Sequence, residues 1–268
     1  RLLLICFCMF LPSIFVKALS KDVNVDVLVI GGGTSGVTAG IQCARMGVRT
    51  LILSESDWLG GMLTSAGVSA VDGDYRLPAG LWGEFRDSLC VHYGGLKALK
   101  TGWVSNVLFE PSVGNTIFHR MVQREHKFLS LYENCRVSLI KPYNKGWKVS
   151  FKKADKTTAT AYAKIVIDAT ELGDIAKRCG VGYDIGMESR YDTKENIAPE
   201  KKNNIVQDLT YVAILKDYGH DVSMPKPYGY NKDDFVRCCK SGLCPDSLVK
   251  TDALSPEMLM SYGQLPNH

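Results

Sequence analysis

The sequence predicts an α/β fold built on a parallel sheet, and three observations carry that expectation. An apolar, β-branched run over residues 23–30 reads straight into the glycine spacing Gly31, Gly33, Gly36. A helical pattern follows over residues 34–46. A second apolar run, "VRTLILSE" at 48–55, comes after it. Strand, tight turn, helix and strand in about thirty residues make a βαβ unit, whose crossover forces its strands parallel. Strands apolar throughout belong in a sheet covered on both faces.

In chain order, residues 1–20 read as a secretory signal peptide. Fifteen uncharged residues, "LLLICFCMFLPSIFV", lie between Arg1 and Lys17, and Ala18-x-Ser20 supplies a small-residue exit. The run is shorter than the ~20 residues needed to span a bilayer, and Pro12 interrupts it. The expectation is therefore a secreted or periplasmic protein, cleaved near Ser20, with no stable membrane insertion afterwards. An uncleaved membrane anchor is the alternative. The opening Arg suggests a sequence incomplete at its start.

The helix at 34–46 places Val37, Ile41 and Ala44 on one face, and Gly47 stands where a terminating glycine belongs. The connection "SDWLGGMLTSAGVSAVDGD" carries no regular period. Residues 81–94 and 112–129 read as helices, and "FLSLYENCRVSLI" and "GWKVSFKK" as strands. Residues 158–170 end in another buried strand, followed by a glycine turn and a short helix from Asp174. After Gly186 the composition shifts toward Lys, Asp, Asn, Tyr and Pro, with 207–215 as the clearest strand. This sets a domain over 21–185 and part of a second over 186–268.

The 268 residues are 46% apolar and 22% charged, which is a globular composition. A net charge of +4, or +2 once Arg1 and Lys17 leave with the first twenty residues, argues against nucleic acid as a partner. Nine cysteines fall to seven after cleavage, and no CxxC spacing occurs. Cys238, Cys239 and Cys244 could hold a local disulfide in an oxidising compartment. They are too few for zinc, and no metal is expected.

A lone GxGxxG spacing is weak evidence, but here it follows a strand and opens a helix whose terminal amides favour pyrophosphate. Gly31 allows the turn, Gly33 lets phosphate approach the backbone, and Gly36 lets helix and strand pack closely. Glu55, nineteen residues after Gly36 at the end of the second strand, can accept both ribose hydroxyls. It would repel a 2′-phosphate, which leaves FAD or NAD. Gly60 and Gly61, just after that acid, suit the long middle of FAD.

The segments "DVLVIGGGTSGVTAGIQCARMG", "LILSESDWLGGML" and "IVIDATELGDIAKRCGVGYDIGMES" resemble FAD-dependent oxidoreductases of the glutathione-reductase-like superfamily. More narrowly they resemble a secreted bacterial branch, some of whose members are labelled xanthan lyase. The resemblance implies a Rossmann-like FAD-binding domain with a parallel sheet and a β-meander, plus part of a substrate domain. It also implies FAD as cofactor, and hydride transfer between flavin N5 and a small organic or sugar-like substrate. Gly31, Gly33, Thr34, Ser35 and Gly36 match the pyrophosphate loop. Glu55 matches the ribose acid, with Ser56 beside it. Gly60, Gly61, Met62 and Leu63 match the segment along the flavin phosphate and ribityl. Val137 matches the residue whose backbone meets adenine. Asp168, Ala169 and Thr170 match the second turn by the cofactor, with Gly173 and Asp174 completing it. Glu171 departs from the family, which has glycine there.

In such folds a later segment returns to close over the isoalloxazine. None resembling it follows Asp174, so the chain is expected to be C-terminally truncated. No catalytic residue is assigned. His92, His119, His126 and His220 read as structural or surface groups, and Asp174 as a helix cap. Cys238-Cys239 invites a redox disulfide, yet "WLGGMLTSAG" lacks the CxxxxC of the disulfide reductases. Trp82, Trp103 and Trp147 read as packing rather than a sugar platform. Two alternatives stay open: a non-catalytic FAD-binding fragment, and a lyase-like carbohydrate-degrading enzyme on a repurposed dinucleotide fold. The oligomeric state is open.

Overall fold

A computed structural model describes residues 22–102, 104–207, 212 and 218–231. Residues 1–20, read as a signal peptide, Trp103, most of the strand read at 207–215, and Cys238, Cys239 and Cys244 lie outside the described residues.

The first strand, β1 (Val23–Ile30), is followed by helix α1 (Thr34–Arg45) and strand β2 (Thr50–Leu53). Helices α2 (Gly80–Tyr93) and α3 (Pro111–Arg124) come next. Strands β3 (Leu129–Tyr132), β4 (Arg136–Tyr143), β5 (Gly146–Lys152) and β6 (Thr158–Asp168) then lead into the short helix α4 (Asp174–Arg178). They form one six-stranded sheet in the order β3-β2-β1-β6-β5-β4. The pairs β1–β2, β2–β3 and β1–β6 are parallel; β4–β5–β6 is an antiparallel meander. This is the Rossmann-like architecture with a meander.

Side-chain alternation along β1 explains why its buried half, Val27–Ile30, is apolar at every position. Val27 and Val29 face a core formed with Val37 and Ile41 of α1 and Phe118 and Met121 of α3. Leu28 and Ile30 face the opposite core, shared with Val137, Val149, Phe151 and Ile175. In β2, Ile52 points to the first core, and Leu51 and Leu53 to the second. The first core is anchored by Phe85, stacked on Phe118 at 4.5 Å and edge-on to Phe109 at 5.4 Å. Trp82 packs against this core and Trp147 against the other, as expected for packing residues.

Two segments differ from the sequence reading. The helix read at 112–129 ends at Arg124, because the chain turns through residues 125–128 and Leu129 already pairs with Thr50. The strand run from Phe128 to Ile140 is two strands, β3 and β4. Asn134 breaks it at φ +52°, a left-handed conformation that Asn tolerates better than most side chains.

Candidate functional site: three turns at one end of the sheet

Three chain segments converge at the carboxyl ends of β1, β2 and β6. With β2 on one side of β1 and β6 on the other, this is where an open α/β sheet changes direction and leaves a crevice for ligand.

The first segment is the turn from β1 into α1. Gly31 has φ +120°, and a Cβ there would lie 2.1 Å from the Ala169 carbonyl oxygen. At Gly36 a Cβ would lie 2.0 Å from the Gly31 carbonyl oxygen. Glycine at both positions lets α1 dock directly beneath the turn. Gly33 differs: its backbone is ordinary extended (φ −66°, ψ 176°), and a Cβ would meet only Glu171 Oε1, at 3.2 Å. The glycine therefore leaves above the start of α1 a space that only the end of the Glu171 side chain enters. No side chain caps this end, and the first intrahelical bond is donated by Val37 N to Gly33 O. The amides of Thr34, Ser35 and Gly36 thus have no acceptor within the helix and carry its positive pole.

The second segment, after β2, folds back onto the first. Gly60 N donates to Gly32 O (2.9 Å), and Thr34 Oγ1 donates to Gly60 O (2.7 Å). Gly60 and Gly61 adopt positive φ, +109° and +53°, and a Cβ on Gly61 would stand 3.1 Å from Gly33 Cα. Residues 61–63 form a single 3₁₀ turn that leaves Met62 exposed and Leu63 half-buried. Glu55 is exposed at the end of β2, and Ser56 Oγ accepts from Trp58 N at 3.0 Å.

The supports of this loop escaped the sequence reading. Asn115 Oδ1 on α3 accepts Leu59 N at 2.8 Å, and buried Thr64 Oγ1 donates to Leu59 O at 2.7 Å. Asn115 has no short-range signal, since its partner lies 56 residues away. The neighbouring His119 is held between Asn115 O (2.9 Å) and Glu133 Oε1 (2.7 Å), which is a structural placement. His126 stands by Gln123 O on the surface, and His220 is exposed.

The third segment is the turn after β6. Ala169 N donates to Ile30 O at 2.8 Å, locking it beside the first turn. Asp168 organises the rest: its carboxylate accepts Thr170 N (3.0 Å), Thr170 Oγ1 (2.7 Å), Ile175 N (3.0 Å) and Ala176 N (2.7 Å). Burial pushes this carboxyl up, but the bonds from Ala176, Thr170 and Ile175 more than offset it and hold it below the usual range. The carboxylate that caps α4 is thus Asp168, not Asp174 as expected. Asp174 opens the helix, exposed, and donates its N–H to Thr170 Oγ1 at 2.8 Å. Gly173 precedes it at φ +67°.

Val137 lies in β4, near the second segment. Cys135 N, two residues before it, donates to Ser54 O at 2.8 Å. The Val137 carbonyl accepts Arg178 Nη1 at 3.0 Å, and its side chain is buried. A shallow recess of about 410 Å³, lined in part by Asn24, Arg49, Trp147 and Lys164, lies at the opposite end of β1. Six residues of strand, roughly 20 Å, separate it from the three turns.

Among the described residues no three His, Cys, Asp or Glu side chains gather as a metal site would require. No helix there is long and apolar enough to cross a membrane. Cys43, Cys90, Cys135 and Cys179 are free thiols.

Comparison with known proteins finds partial matches. Thiamine thiazole synthase of Aeropyrum pernix is 37% identical over 65 residues, 24% of this chain and 24% of that protein. Pseudooxynicotine dehydrogenase of a Pseudomonas species is 39% identical over 67 residues, 25% of this chain and 13% of that protein. The chain therefore matches a quarter or less of the length of these relatives. Among solved structures, CabE, an aromatic hydroxylase from angucycline biosynthesis, superposes with TM-score 0.46 and 13% identity, over 63% of this chain and 35% of that one. The family described as FAD dependent oxidoreductase matches residues 26–253. The chain belongs to the FAD dependent oxidoreductase family, and its cofactor is FAD.

Proposed function

We propose that the three converging turns hold the ADP half of FAD, and that the full-length protein is a flavoenzyme acting on a small organic or sugar-like molecule. One observation carries the reading: the space left by Gly33 and Gly61 lies directly over the uncapped amides of α1. That is room and charge for a diphosphate. In this reading the amides of Thr34, Ser35 and Gly36 hold the pyrophosphate. Glu55, beside Ser56, accepts the adenosine ribose hydroxyls, and the Val137 backbone meets adenine. Gly60, Gly61, Met62 and Leu63 follow the flavin-side phosphate and ribityl. Ala169, Thr170, Gly173 and Asp174 form the opposite wall, braced by Asp168.

When bound, FAD supplies a hydride acceptor at its flavin N5. The chain's own part is to bind and orient. Asn115 and Thr64 fix the second loop, and Asp168 fixes the third. Residues 21–185 are the FAD-binding domain, 186–268 contribute to a substrate domain, and residues 1–20 direct export. The test is full-length protein purified with FAD and then mixed anaerobically with a panel of alcohols, amines and sugars. Bound flavin absorbing near ~450 nm, bleached by a member of the panel, is the expected result. Protein that takes up no flavin overturns the reading.

A further inference from the structure

Glu171 is the position where the sequence departs from the glycine of the resembling family, and the structure gives that departure a consequence. Its backbone sits in a turn pinned on both sides by Asp168, through Thr170 before it and Ile175 and Ala176 after it. From that fixed base the side chain reaches across to the other two turns. Glu171 Oε1 lies 3.2 Å from where a Gly33 Cβ would be, and 2.9 Å from where a Gly61 Cβ would be. These are the two positions whose missing side chains open the space over α1. The oxygen therefore stands in the volume assigned above to the diphosphate. A carboxylate is stabilised there by the positive pole of the helix, as a phosphate would be. Among the described residues, neither Lys nor Arg forms an ion pair with it. The residue is exposed, so rotation of its side chain carries the charge out to water.

We propose that Glu171 gates the FAD site. Its carboxylate competes with the cofactor diphosphate for the start of α1, and FAD seats only when that side chain swings out. The inference rests on the assignment of the three turns to FAD. Two anions cannot share that volume, so the interaction Glu171 makes with the helix is subtracted from the affinity for FAD. Removing the charge (Glu171→Gln) or the side chain (Glu171→Ala) tightens binding by about fivefold, the equivalent of one carboxylate's interaction with a helix terminus.

The experiment is a titration of full-length wild type, Glu171→Gln and Glu171→Ala with FAD, ADP and inorganic pyrophosphate. Circular dichroism and melting without ligand check that the variants fold. Tighter binding of all three ligands by both variants, in similar ratio, is the expected result. A gain confined to FAD would overturn the gate, because the shared diphosphate would not be its cause. Equal or weaker FAD binding would also overturn it, and weaker binding would make Glu171 a group that holds the cofactor. If wild type and variants alike bind no FAD, the FAD assignment and the gate fail together. If wild type binds and the variants bind no tighter, only the gate fails.

Discussion

Gly33 and Gly36 belong to the same glycine pattern, yet the structure gives them opposite sensitivities to one added methyl group. In Gly36→Ala the new Cβ would lie 2.0 Å from the Gly31 carbonyl oxygen and 3.1 Å from Ala169 Cβ. Carbon–oxygen contacts normally stand at about 3.3–3.6 Å, so α1 must retreat from the turn by more than ~1 Å. That retreat loosens Val37 and Ile41, which are fully buried against the sheet. Overpacking of this kind costs about 1–3 kcal/mol, offset in part by the ~1 kcal/mol by which Ala favours a helix over Gly. A net loss of about 1–2 kcal/mol lowers the melting temperature by about 2–8 °C in a chain of this size.

Gly33→Ala meets only the mobile end of Glu171, and its φ of −66° suits any residue. Its stability therefore stays within about 0.5 kcal/mol of wild type. The methyl nevertheless fills the space over the α1 amides, and FAD affinity falls tenfold or more, about 1.4 kcal/mol. Melting without ligand and a fluorescence titration with FAD separate the two effects. Gly33→Ala melting as low as Gly36→Ala, or binding FAD as wild type does, would refute the reasoning.

Glu55→Gln keeps the fold, since Glu55 is exposed, and weakens FAD binding by about 1–3 kcal/mol through loss of a charged acceptor. An unchanged dissociation constant removes Glu55 from the ribose. Asp168→Asn costs about 1–3 kcal/mol of stability, because the four donors on that carboxylate lose a charged partner. The folded pKa of Asp168 is lowered, so its contribution is complete above about pH 4 and is lost as pH falls through the folded value. Denaturation curves of wild type and Asp168→Asn should converge on acidification, and a constant gap would contradict this. Asn115→Ala strands the Leu59 N–H that it accepts. Stability should drop by about 1–3 kcal/mol, and FAD affinity should fall as the second loop loosens. Unchanged urea midpoints would show that the bond does not hold that loop.

What could be read in advance follows the range of the forces involved. The bounds of β1 are legible because a β-branched run ends at a glycine forced to φ +120°. The role of Gly36 was readable from spacing because its nearest neighbour, the Gly31 carbonyl, belongs to the same βαβ unit, whereas Gly31 fits against Ala169, in a turn far along the chain. The end of α3 was not readable, since Glu125, His126 and Lys127 suit a helix as well as the turn they form, and Phe128 and Leu129 fit a helix as well as the start of β3. Asn134 was a usable signal for the break between β3 and β4. Asn115 could not be found, because a side chain on α3 reads the backbone of a distant loop only after folding. Capping of α4 was assigned to Asp174 because it adjoins the helix. The return of the turn brings Asp168 to those amides instead, from seven and eight residues upstream.

The central claim is that the ADP half of FAD lies where the three turns meet. A crystal structure of the full-length protein with FAD bound tests it most directly. The account predicts the pyrophosphate over Gly33 against the Thr34 and Ser35 amides, with the ribose hydroxyls on Glu55 and the Glu171 carboxylate turned away. A pyrophosphate elsewhere, or a ribose that does not meet Glu55, would contradict it.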